Sequence, residues 1–232
     1  MIFVRNDDVD GLVAELRAGL TGDVALPGSE RYAAECATFN LLTPLRPALV
    51  VAAAGAEDVR HAVRCAVRHG LGVSITATGH QVRSPGEGSV LISLRGLDEV
   101  SVDAERGTAR LGGGVRWEQV LAATTPHGLA PVNGSSPTVG AVGFLLGGGH
   151  SPTLGRSRGY GADHVRAVEI VTGDGRLRRV DAETLPELFA AVRGGKGNFG
   201  VVTAVEIDLF PVTRFYGGAV YFAGEQAGAV LH

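Results

Sequence analysis

The stretch that decides how this chain is read is Gly134–Gly149, GSSPTVGAVGFLLGGG. Together with the earlier turn Ala77-Thr78-Gly79-His80, it gives two separated loops of small residues, each beside an apolar run. Glycine lets a backbone approach a ligand closely, and consecutive N–H groups in such turns form a concave anion site. The pair points to a bound dinucleotide whose diphosphate lies against main-chain amides.

The surrounding sequence supplies a scaffold for both loops. Ala48–Ala53 reads as a buried strand, and Ala56-Glu57-Asp58-Val59 opens a helix whose acidic first turn suits the helix dipole. That helix is expected to end at Gly70, and Gly72–Ala77 follows as a β-branched strand. Strand, helix, strand predicts a parallel crossover unit, with His80 just past the second strand's carboxyl end, where open α/β sheets bind ligands. Upstream, residues 7–20 predict a short amphipathic helix acting as a cap, followed by a loop with Arg31, Tyr32 and Asn40. Downstream, SVLISL (89–94), VSVD (100–103) and TARLGGG (108–114) read as short strands ahead of a helix at Trp117–Ala123. Val165–Thr172 and Leu177–Val180 flank Gly173-Asp174-Gly175 as a hairpin. A helix over 186–193, the loop RGGKGNFG and a strand at Val201–Leu209 complete the pattern. The chain shows no repeat period, and the boundary between two lobes is expected near residues 105–110.

Composition narrows the function classes. The 232 residues are 45% hydrophobic and 19% charged, enough for one large domain or two small lobes. A net charge of −3 with scattered Lys and Arg argues against nucleic acid, and Arg178-Arg179 reads as a solvated strand edge. No apolar run approaches a membrane span and the N-terminus lacks a cleavable signal, so a cytoplasmic location and no membrane partner are expected. Cys36 and Cys65 lie in different contexts and do not suggest a disulfide; Cys65 reads as a small core residue. The 35 glycines are the compositional anomaly, and their place between apolar elements suggests loops in close contact with a ligand or each other.

Literal motifs eliminate several chemistries. Gly195-Lys196-Gly197-Asn198-Phe199-Gly200 satisfies G-x-G-x-x-G, but a helix precedes it and a strand follows, the reverse of the Rossmann order. Gly197 stands where a Walker loop needs Ser or Thr. The seven histidines lack metal-ligand spacing, and no G-x-S-x-G elbow occurs. What remains is a cofactor that brings its own chemistry.

The series PALVVAAAGAEDVRHAVRCAVRHGLGVSITATGH, SVLISLRGLDEVSVD, ARLGGGVRWEQV, HGLAPVNGSSPTVGAVGFLLGGG, YGADHVRAVEIVTGDG and LFAAVRGGKGNFGVVTAVEI, in that order, resembles one known family. It is similar to the PCMH-type FAD-binding domain of the vanillyl-alcohol oxidase / p-cresol methylhydroxylase superfamily, with the berberine bridge enzyme-like oxidases as the nearest branch. The resemblance covers about Pro44 to Pro211. It implies an α+β fold of two α+β subdomains, roughly 44–107 and 108–211, preceded by an N-terminal helix and loop over 1–43. Residues 212–232 would begin a substrate domain that is largely missing, with Phe215–Phe222 as its first strand.

The resemblance also implies a cofactor site. FAD would be held by Thr76, Ala77, Thr78, Gly79, His80 and Gln81, and by Ser135, Ser136, Thr138, Val139, Gly140 and Gly143. Gly147 and Gly148 would lie close to it, and Asn198 and Val202 would contact its flavin or adenine side. His80 matches the histidine that carries the flavin through its 8α-methyl carbon. Ser136 stands where doubly linked members have cysteine, and a hydroxyl does not supply a thiolate's nucleophile, so no second link is expected. The loop before His80 departs from the family's Arg, small residues and two glycines, having Thr76-Ala77-Thr78 and a single Gly79. Asp163 would order neighbouring backbone, while His150 and Tyr160 would be polar groups near the ring. Val139 matches a position that governs oxygen access, where valine accompanies oxidases.

The implied activity is oxidation of a small-molecule alcohol, sugar or amine-type C–H by hydride transfer to flavin N5, with O2 as acceptor and secondary metabolism as one setting. The alternative is a non-catalytic FAD-binding module or a fragment needing a partner. The catalytic base would lie in the substrate domain and is not identifiable in this sequence. An unpaired first strand favours dimerisation or poor solubility.

Overall fold

The computed structural model describes residues 6–81 and 86–231. The first subdomain runs α1 (Asn6–Gly19), β1 (Asp23–Ala25), α2 (Glu30–Glu35), β2 (Leu49–Ala52), α3 (Ala56–Arg68), β3 (Val73–Thr76) and β4 (Val90–Ser93). Its sheet has the order β1-β2-β4-β3, with β1 antiparallel to β2 and the other pairs parallel. The expected crossover is therefore present with one correction: β2 and β3 do not pair, because β4 inserts between them. Each of the inner strands β2 and β4 is buried at every position, as apolar runs covered on both faces must be.

Helix α3 carries this subdomain. Val59, Ala62, Val63, Cys65 and Ala66 are buried on one face. Its first-turn Asp58 accepts hydrogen bonds from the backbone N–H groups of Thr21, Gly22 and Ala54 at 2.9, 2.8 and 2.8 Å. At its other end, Leu71 N–H returns to Ala66 O and Gly70 adopts φ +66°, satisfying the terminal carbonyls as the sequence predicts. Helix α1 is more than a cap: Leu12 and Leu16 are fully buried in the same core as Val51, Val59 and Ile92. Residues 6–43 thus pack with the first subdomain.

The second subdomain contains β5 (Val100–Asp103), β6 (Thr108–Gly112), α4 (Trp117–Thr124), β7 (Leu129–Ala130), α5 (Ala141–Leu145), α6 (Gly155–Arg158), β8 (Val165–Val171), β9 (Leu177–Asp181), α7 (Pro186–Gly195), β10 (Val201–Asp208) and β11 (Phe210–Pro211). Its main sheet is antiparallel with the order β5-β6-β10-β8-β9. Since β5 pairs with β6, the division between sheets falls between Ser93 and Val100, ahead of the 105–110 region that the turn pattern suggests. The β8–β9 hairpin forms as predicted, and Arg178 and Arg179 lie on its edge strand, paired with Asp174 and Glu206. Trp117, Leu145, Ile170 and Ile207 centre the core beneath α4, α5 and α7. Val171 and Val201 pack into the first core, which joins the two layers across α3.

Residues 212–232 differ from expectation. No strand forms at Phe215–Phe222 among the described residues, and a 3-10 turn at Gly224–Gln226 and the short helix α8 (Ala227–Val230) follow. A lone apolar strand has no ladder to satisfy its backbone, so Tyr216, Val220 and Tyr221 stand in solvent. No helix of the described residues is long and apolar enough to cross a membrane.

Candidate cofactor site

Strands β3 and β4 end side by side, and the loops leaving them face the second subdomain. Thr76 closes β3 with its Oγ1 buried and without a hydrogen-bond partner among the described residues. Ala77 O accepts from Arg95 Nε at 2.9 Å. Thr78 Oγ1 accepts from Gly140 N–H at 3.2 Å. Gly79 turns at φ +76°, its α-carbon facing Ala37 O and Thr38 so closely that an added Cβ would lie 3.0 Å from that oxygen. The turn delivers His80 onto Phe39, ring centroids 4.3 Å apart and planes 10° from parallel. Gln81 Oε1 accepts from Lys196 Nζ at 2.6 Å.

The second loop is built on α4. Trp117 N–H bonds Val139 O at 3.1 Å, Glu118 N–H bonds Pro137 O at 2.9 Å and Ala141 N–H bonds Val115 O at 2.8 Å. Arg116 adds a bond from Nη1 to Thr138 O at 2.6 Å. These contacts fix Ser135–Gly140 as a ledge, with Ser136 and Thr138 hydroxyls 3.1 Å apart and exposed Ser135 at its start. The side chain of Val139 packs against the second core. Gly140 caps α5, so the short helix begins directly beside Thr78.

The structure thus joins Thr76–Gln81, Ser135–Gly140 and, through Lys196, the segment after α7. Other expected positions are arranged differently. Gly143 is exposed on α5, and the Lys196 stem lies over Gly147 next to Gly148. Asn198 is exposed and donates to Gly195 O at 2.8 Å, within its own turn. Val202 is 6% exposed, and its side chain belongs to the second core. Asp163 accepts Tyr160 N–H at 2.9 Å, the backbone-ordering role expected of it. His150 and Tyr160 are exposed rings 6.3 Å apart.

Sequence reasoning missed Arg95 and Arg116. Both line a cleft of about 450 Å³ at the junction of the subdomains, together with Ala77, Thr78, Asp98 and Gln119. The available signal for Arg95 was its place just past β4, equivalent to that of Thr78 after β3. His80 does not line this cleft, but its Nδ1 is buried and without a partner among the described residues, like Thr76 Oγ1. Buried polar atoms are ordinarily satisfied, and two orphans on one loop suit a polar ligand carrying several acceptors and donors. A dinucleotide such as FAD fits that requirement. Among the described residues no group of His, Cys, Asp and Glu is arranged to hold a metal ion.

A two-layer α+β fold in which the glycine turn at the carboxyl end of a parallel strand faces a second small-residue loop leading into α5 defines a dinucleotide-binding protein of non-Rossmann type. Residues 47–181 match the family described as FAD binding domain, and the chain belongs to that family. The fold is the PCMH-type FAD-binding domain of berberine bridge enzyme-like oxidoreductases: BBE-like 1 of Physcomitrella patens superposes with a TM-score of 0.80 at 28% identity, covering 86% of this chain and 44% of that one. A glucooligosaccharide oxidase of Acremonium strictum does so with a TM-score of 0.80 at 28% identity, covering 86% and 42%. That oxidase is described as carrying 6-S-cysteinyl, 8α-N1-histidyl FAD. Among curated relatives, the FAD-dependent monooxygenase FUP4 of Fusarium proliferatum is 38% identical over 178 residues, 75% of this chain and 34% of that protein. The chain spans less than half the length of these relatives.

Proposed function

We propose that this chain is the FAD-holding part of an oxidase acting on a small-molecule alcohol, sugar or amine-type C–H, with O2 as electron acceptor. The observation that carries the reading is the meeting of the two loops at Thr78 Oγ1 and Gly140 N–H, beside the unpartnered Thr76 Oγ1 and His80 Nδ1. In this reading the amides of Ala77–Gln81 and of Ser135, Ser136 and Thr138 hold the pyrophosphate, supported by Thr76, Ser136 and Thr138 hydroxyls, while Gly140 N–H ties the second loop to Thr78. Gly143, Gly147, Gly148, Asn198 and the Val202 backbone are assigned to the cofactor's periphery. His80 is the covalent attachment point, and Ser136 leaves the second position unlinked. When bound, FAD supplies a two-electron acceptor for the substrate's hydride.

Absorption spectroscopy followed by acid precipitation tests the cofactor assignment. Flavin colour is expected in the wild-type pellet and in the supernatant for His80→Ala. Pellet flavin in His80→Ala overturns the attachment site, and colourless wild-type protein overturns the cofactor reading in favour of a non-catalytic module. Val139, just ahead of the Gly140 cap of α5, supports an oxidase, whereas the resemblance to FUP4 favours a monooxygenase. One hydrogen peroxide per substrate oxidised supports the first; oxygen incorporated into product supports the second. The unpaired thiols of Cys36 and Cys65 support a reducing, cytoplasmic compartment. Exposed Tyr216, Val220 and Tyr221 support burial against another surface, which sedimentation would reveal as a homodimer.

A further inference from the structure

The attachment histidine is held by a device remote in sequence. All three guanidinium nitrogens of Arg95 donate to backbone carbonyls: Nε to Ala77 O at 2.9 Å, Nη1 to Ala34 O at 2.5 Å and Nη2 to Ala37 O at 2.7 Å. The first carbonyl belongs to the His80 loop, and the other two to the end of α2 and the segment leading to Phe39. Beneath them, the carboxylate of Glu35, only 6% exposed, accepts from Ser93 Oγ at 2.6 Å and lies 4.0 Å from Arg95 Nε. Arg31 pairs with its other oxygen at 3.0 Å. Phe39 is held in turn by its N–H, which donates to Gly79 O at 3.0 Å, and its ring lies flat on the imidazole of His80. A flat aromatic contact restricts both torsions of the histidine, and Phe39 has no other visible task, being 72% exposed.

We propose that Phe39 is a positioning residue for covalent flavin attachment, with Arg95 as the clamp that holds Phe39 over His80. The proposal rests on the assignment of His80 as attachment point. The link joins an imidazole nitrogen to the flavin 8α-carbon; the N–H and one 8α C–H each lose a proton, and the two electrons released pass to O2, giving hydrogen peroxide. Misplacement of a reacting group by about 1 Å costs up to about 100-fold in rate, so an unrestrained His80 should react far more slowly.

The test uses flavin-free chain mixed with FAD, following pellet flavin with time and FAD affinity separately by fluorescence. Phe39→Ala should slow attachment at least about tenfold while FAD affinity changes less than about twofold, and Phe39→Tyr should restore the rate. Arg95→Met should slow it similarly, with Arg95→Lys recovering only part, since Lys cannot span three carbonyls. Carbethoxylation of His80 without FAD, read by mass spectrometry, should accelerate in Phe39→Ala. Attachment at the wild-type rate in Phe39→Ala overturns the proposal and leaves His80 as the attachment point. Equal slowing in Phe39→Tyr also overturns it. Absence of pellet flavin in the wild type overturns the covalent reading and the proposal together, an outcome distinguishable because the wild type itself then fails.

Discussion

Replacing Gly79 by alanine perturbs the turn that presents His80. Two costs arise. At φ +76° an L side chain is strained by about 1–2 kcal/mol. The new Cβ also meets backbone on the facing segment, 3.0 Å from Ala37 O and 3.1 Å from Thr38 Cα, atoms that cannot swing aside as a side-chain tip would. Such overpacking adds about 1–3 kcal/mol, for a total of about 2–5 kcal/mol. Gly70 offers an internal control, with φ +66° but open space where a Cβ would stand; Gly70→Ala should cost about 1 kcal/mol. Urea unfolding with unchanged slope gives both values from the midpoints. The rate of flavin attachment provides a second reading, because relief of the clash displaces the Phe39 segment and with it the face of His80. Equal destabilisation by the two variants, within about 0.5 kcal/mol, would refute the close approach of residues 37–39 to the His80 turn.

Asp58→Ala should destabilise by about 2–3 kcal/mol in the same assay, since three part-buried hydrogen bonds to the buried carboxylate are lost; Asp58→Asn should cost less. Tyr32 is pushed up to about 12, chiefly by burial, and its O–H donates to Pro47 O at 2.8 Å. The neutral phenol is favoured in the folded state, so this contribution is complete below the ordinary tyrosine value and is lost as pH rises through about 12; absorbance titration at alkaline pH should show one late tyrosine, absent in Tyr32→Phe. Asp174 is held down to about 2, first by the Thr172 hydroxyl and then by Arg176 N–H and Arg178. Its contribution is present above the ordinary carboxylate value and fades as pH falls toward about 2, so Asp174→Asn should flatten the acid limb of stability against pH.

Much of the fold could be read because local pattern and tertiary environment agree. Gly70 at the end of α3 and the Gly173-Asp174-Gly175 turn each act within a few residues of where they stand, whereas Asp58 opens α3 locally but also binds Thr21 and Gly22 far back in the chain. The insertion of β4 between β2 and β3 was not legible, since strand order in space is set by long-range pairing that alternation and turn residues do not encode. Strand β1, three residues long, is too short to show a period. Phe215–Phe222 has strand composition, yet composition cannot supply the neighbour that a strand requires. At the site, the two loops announced themselves through glycine, whereas Phe39 and Arg95 act on partners about 41 and 18–61 positions away, where spacing carries no information.

The insertion of β4 also imposes an order of assembly. Among the described residues strand β3 pairs with β4 alone, so the segment that bears His80 has no strand template until residues 90–93 have been synthesised and placed beside β2. Arg95, two residues past that strand, arrives in the same event and draws the carbonyls of residues 34, 37 and 77 together. During synthesis on the ribosome, α1 to α3 can fold on β1 and β2 first, leaving the histidine loop as the final piece of the first subdomain. Cofactor capture is thereby timed after that subdomain is complete, and a chain arrested before residue 90 would present no ordered turn for it.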